Sequence, residues 1–165
     1  MSTFSAVFFP AAAGWGAAEV DAADAATIDD LADAVRDAAG AVDPGAAEGT
    51  MLLFLEADDE WFGVLRVDDR AEPRVFLSDT RSVHDHPVAA LFLESGAITA
   101  PEQVEGTGQK PGARPGGDGG LLADLGTPAD ELLALTTAEG ALPADVLAEL
   151  AERAGFADHF DALRI

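Results

Sequence analysis

Residues 50–79 read TMLLFLEADDEWFGVLRVDDRAEPRVFLSD, and the fold turns on whether their acids form a site or the rims of a sheet. Thr50 to Ala57 is a near-continuous apolar run, the pattern of a strand covered on both faces. Trp61 to Asp68 then alternates, with Trp61, Gly63, Leu65 and Val67 on one side and Phe62, Val64 and Arg66 on the other. PRVFLS supplies a short third strand. Short polar links between three strands predict an antiparallel meander. Asp58 and Asp59 then sit in one turn, with Glu60 opening the middle strand, and Asp68, Asp69 and Glu72 in the next, at the opposite end of that strand. At strand rise the two groups lie roughly 25 Å apart, too far to share a cation. Neither group alone has the alternating ligands and glycine of a calcium loop. The acids therefore read as solvated rims.

Working outward, FSAVFF (Phe4 to Phe9) has the aromatic and β-branched character of a strand, with WGAAEV (Trp15 to Val20) as a weaker partner. TIDDLADAVRDAAG changes the period: Ile28, Leu31, Ala32, Val35 and Ala39 fall on one helical face. Thr27 with Asp30 forms a variant capping box, and Gly40 is a natural stop. DTRSVHDHPVAALFLES fits either helix or strand, with Ser78 or Asp79 able to cap and Pro87 able to start or break a helix. Beyond it, GAITAPEQVEGTGQKPGARPGG holds the only lysine, Lys110, and too little apolar surface to offset its ordering entropy.

The last stretch is helical in pattern: LLADLG, then TPADELLALTTAEG with Thr127 as N-cap and Pro128 at N1, LPADVLAELAERAG, and FADHFDALRI. The expected fold class is α+β, an antiparallel meander of about five strands with one or two packed helices. The expected organisation is a sheet domain over 1–95, a flexible linker over 96–120 and a C-terminal helical segment over 121–165. Short helices of this kind need something to dock on, whether the sheet, a second subunit or a partner.

The 165 residues carry 31 acids against nine bases, a formal charge of −22. Such a field repels phosphate backbones and anionic bilayers, so nucleic acid and membrane are not expected partners. With no cysteine, disulfides, thiol nucleophiles and zinc–thiolate sites are excluded. No leader or membrane span is evident, which predicts a cytoplasmic protein. His84, Asp85 and His86 do not share a helical face, and no nucleophile elbow surrounds Ser5, Ser78, Ser82 or Ser95. Neither a catalytic residue, a metal site nor a cofactor site is expected.

DDEWFGVLRVD, PRVFLSD and the run LLADLGTPADELLAL, EGALPADVLAELAERAGF and DALR together resemble a bacterial family of tRNA adenosine deaminase-associated proteins. The resemblance spans nearly the whole chain outside the linker. It implies an association with a tRNA adenosine deaminase, inferred from gene neighbourhood, and brings no catalytic residues with it. A zinc nucleoside deaminase needs H-x-E and P-C-x-x-C motifs, and this sequence has neither. The expectation is an accessory protein whose partner contacts the apolar helical stripes: Leu121, Leu122, Leu125, Leu132, Leu133 and Leu135, then Val146, Leu147 and Leu150. Two alternatives stay open. One is a small-ligand site or an unfamiliar enzyme built on Trp61, Phe62, Arg66 and Arg74; the other is a homodimer.

Overall fold

The computed structural model describes residues 3–11, 14–22, 25–57, 61–68, 72–84, 86–95, 115–138, 140 and 142–164. Six strands form one antiparallel sheet: β1 (Thr3–Ala11), β2 (Gly14–Glu19), β3 (Thr50–Ala57), β4 (Trp61–Asp68), β5 (Arg74–Leu77) and β6 (Gly116–Gly117), in the order β2-β1-β3-β4-β5-β6. The meander β3-β4-β5 is the one predicted, with Leu55 opposite Gly63 and Leu65 opposite Val75. The sixth strand is one more than the expected count of about five. Two glycines bear no side-chain pattern to mark a strand, and β6 exists because Phe76 and Leu77 offer it a ladder. It lies in the stretch read as linker, of which residues 96–114 are outside the described set.

Helices cover both faces, which explains the apolar run in β3. On one side α1 (Ile28–Val42) buries the predicted stripe Ile28, Leu31, Ala32, Val35 and Ala39. The stripe shares one core with Val7, Phe9, Met51, Leu53, Leu55, Trp61, Leu65 and Val67. Thr27 Oγ1 accepts the Asp30 N–H at 3.0 Å while Asp30 Oδ2 accepts the Ala26 N–H at 3.1 Å, a reciprocal cap of the kind the sequence suggested. The helix passes through Gly40 and ends at Asp43, whose N–H donates to Ala39 O at 2.9 Å. Glycine permits a stop without imposing one. The ambiguous segment 79–95 resolves into a 3₁₀ turn (Thr80–His84), the short helix α2 (Pro87–Leu91) and a second 3₁₀ turn (Phe92–Ser95). Gly63 makes room for this layer, since a Cβ there would lie 3.0 Å from the Phe92 ring.

On the opposite face lie α3 (Ala129–Thr137), α4 (Pro143–Ala154) and α5 (Ala157–Arg164). Leu121, Leu122, Leu132, Val146, Leu147, Leu150, Phe156 and Phe160 pack on Ala6, Phe8, Leu52, Phe54, Phe62, Val64 and Phe76. Phe156 stacks on Phe8 with centroids 4.5 Å apart and also touches Phe54 and Trp15. The molecule is thus three layers, helix on sheet on helix, with the C-terminal helices completing the second core.

Thr127 departs from its expected role. Gly126 takes φ +99°, a conformation that strains other residues, and a Cβ on it would lie 2.7 Å from Arg153 O. This tight turn draws Thr127 into the core, where Oγ1 has no hydrogen-bond partner among the described residues. Pro128, in extended conformation, is the residue that precedes α3.

Candidate functional site

The densest polar cluster grows from β4 and β5. Arg66 and Arg74 are directly opposite one another and face the C-terminal helices. Two cations so placed repel unless carboxylates offset them. Arg66, only 6% exposed, sends its Nε to both oxygens of Asp68 at 3.0 Å. Its Nη1 and Nη2 donate to the two oxygens of Asp124 at 2.5 and 2.8 Å, and Nη1 also reaches Leu121 O at 2.6 Å. Thr50 Oγ1 donates to Asp68 at 2.7 Å and fixes that carboxylate. Arg74 Nε donates to Asp118 Oδ2 at 2.6 Å. Asp118 in turn accepts Gly120 N–H at 3.0 Å and donates its own N–H to Val75 O at 2.7 Å.

The electrostatics follow from this geometry. The Asp124 hydrogen bonds raise the Arg66 pKa against the opposing effect of burial. Arg66 holds Asp124 below the ordinary aspartate range, and Arg74 does the same for Asp118. The Arg66 fork and the single Arg74 bond therefore fasten the segment around Asp118 and Asp124 to the sheet. An incoming anion would have to displace Asp124 or Asp118 from them.

The four residues of the expected ligand site do not converge. Trp61 lies in the α1-side core, where its ring sits 5.4 Å from His86, and its buried Nε1 has no partner among the described residues. Phe62 lies in the other core and packs on Phe76. Only Arg66 and Arg74 are brought together, and carboxylates hold both. The helical stripe expected to meet a partner faces inward. Leu121, Leu122, Leu132, Val146, Leu147 and Leu150 are buried on the chain's own sheet, and Leu125 and Leu135 are half-buried beside them; Leu133 alone stays exposed, at 50%. Asp118 and Asp124 were missed because 44 and 58 residues separate them from their arginines, and no local pattern links such distant positions.

Other expected turns and clusters fall partly outside the described residues: Asp58, Asp59, Glu60 and Asp69 in and beside the turns, Asp85 and the His84 side chain in the histidine triplet. Among the described residues no group of three or more histidines, aspartates and glutamates could hold a metal ion. No described helix is long and apolar enough to cross a membrane.

The profile of the Rv3753c-like tRNA adenosine deaminase-associated protein family matches residues 3–157. The chain belongs to that family. The match takes in all three layers, from β1 to the start of α5. Protein Rv3753c of Mycobacterium tuberculosis (strain ATCC 25618 / H37Rv) is 34% identical over 119 residues, covering 70% of this chain and 64% of the relative. The matched region thus spans less than two thirds of that relative's length. No solved structure matches the chain. The family's description places its members with a deaminase rather than among deaminases.

Proposed function

We propose that this chain is a non-catalytic accessory protein that binds a tRNA adenosine deaminase through a basic surface of the enzyme. The family description supports the choice of partner, and the pairing of charges supports the mode of contact. Every arginine whose side chain is described, Arg36, Arg66, Arg74, Arg81 and Arg153, is ion-paired with a carboxylate of its own chain. Among the described residues the charge offered outward is mainly acid, including exposed Glu19, Asp29, Asp37, Asp130, Glu152 and Asp158. Such a surface accelerates encounter with a cationic protein and repels RNA, so it suits a protein partner better than the deaminase's substrate. Calorimetric titration with the deaminase of the same organism is expected to show binding that weakens as salt rises. Absence of binding at low ionic strength would overturn the reading.

A further inference from the structure

The two edges of the sheet are built differently. β6 closes one edge with two glycines, a length too short to take another strand. The other edge is the six-residue β2, Gly14–Glu19. Val20 N–H donates to Ser5 O at 3.0 Å, which makes Ser5 and Val20 a hydrogen-bonded pair. Given the register of Ala6 with Glu19 and Val7 with Ala18, every second residue turns its backbone toward β1. Gly14, Gly16 and Ala18 therefore face inward along the sheet, and Trp15, Ala17 and Glu19 present their N–H and C=O groups outward. Among the described residues none of those six groups has a backbone partner.

Edges usually carry protection: a proline, a lysine, a bulge or a charge turned inward. Within GWGAAE the one such feature is the charge of Glu19 at the last position, and the glycines and alanines before it add no bulk beside the free ladder. It is also held rigid, because Trp15 packs at 4.8 Å on Phe156 on one face and Ala18 packs in the α1-side core on the other. The surroundings select the occupant. Glu19 and Asp21 are exposed at the strand's exit, and α1, which lies against β2, exposes Asp29, Asp33 and Asp37 at four-residue spacing. Arg36 is the one described cation on that helix, and Asp33 holds it. A second copy of the chain would bring the same acids to the edge.

We infer that β2 accepts an extended, basic segment of a partner protein as a seventh strand, its backbone bonding to Trp15, Ala17 and Glu19 and its cations meeting the acids of α1. The inference rests on the accessory reading above and names the mode of contact. The test is amide hydrogen exchange on the full chain, alone, with the deaminase, and with a synthetic octapeptide of alternating arginine and valine. Either ligand is expected to slow exchange at Trp15, Ala17 and Glu19 by about tenfold or more, with Gly16 and Ala18 little changed. Ala17→Pro should abolish the effect without breaking the β1 ladder, since the lost N–H points outward; a wild-type salt series, in which protection fades as ionic strength rises, reports the same contact without a variant. Peptide that fails to bind, or binds without protecting these amides, overturns the inference. Protection that grows with protein concentration in the absence of ligand also overturns it, in favour of a second copy. Deaminase that binds and leaves β2 unprotected sinks the strand and spares the accessory role; peptide protection without deaminase binding does the reverse.

Discussion

Arg66 shows how one side chain can decide where a whole segment sits. Its guanidinium reaches Asp68 on its own strand, and Asp124 and Leu121 O across the layer boundary, so its donors are used in a planar arrangement lysine cannot copy. Asp124 is itself 61% exposed, so its Coulombic share is screened and the geometry of the fork contributes more than the charge. Arg66→Ala removes the fork, strips partners from a buried carbonyl and loses the packed stem; urea unfolding should show a loss of about 3 kcal/mol, with Arg66→Lys losing about half as much. The acid side gives a second check. Because Asp124 titrates lower in the fold than the ordinary aspartate value of 3.8, its contribution is present above that value and fades as pH falls through the lowered one. Protonating the surplus surface acids relieves repulsion over the same range and acts in the opposite sense. The stability difference between the parent and Asp124→Asn isolates the pair: it should be constant from neutral pH to about pH 5 and shrink toward zero in stronger acid. A difference independent of pH would show that the ion pair contributes nothing measurable.

At the scale of elements, local signals and long-range signals part company. The cap of α1 was legible because Thr27 and Asp30 satisfy each other's neighbourhood within four residues. Thr27→Ala should lower stability by about 1 kcal/mol in chemical denaturation, with the loss of exchange protection concentrated in the first turn of α1. The meander was legible for a similar reason: alternation along Trp61 to Asp68 fixes which residues share a face, and Trp61 and Phe62 do enter opposite cores. The strand β6 was not, since two glycines have no period. Nor was the destination of Arg66 and Arg74, since Asp124 and Asp118 lie 58 and 44 residues further along the chain. The cover of the helical stripe rests on an ambiguity inherent in amphipathic helices. A row such as Val146, Leu147 and Leu150 states that something covers it and does not state whether that cover is a partner or the chain's own sheet.

For the whole molecule, that cover is the decisive fact. Among the described residues, the sheet residues Ala6, Phe8, Leu52, Phe54, Phe62, Val64 and Phe76 are covered on their side by the segment after residue 115. A chain ended after Ser95 would keep the α1-side core and leave this aromatic face bare, well beyond the patch a soluble monomer tolerates. It would also strand Arg66 and Arg74 opposite one another with only Asp68 between them, and at low dielectric that repulsion adds to the lost burial. The expected result is that residues 1–95 expressed alone aggregate, whereas the full chain unfolds in a single transition by fluorescence and by circular dichroism together. Gel filtration of the truncated chain decides the matter: a folded monomer would mean that the sheet is a self-sufficient domain and the helices an appendage, as the composition of the linker first suggests. Aggregation relieved by adding residues 115–165 as a separate chain would mean that linker continuity is dispensable and that the second core alone joins the two halves.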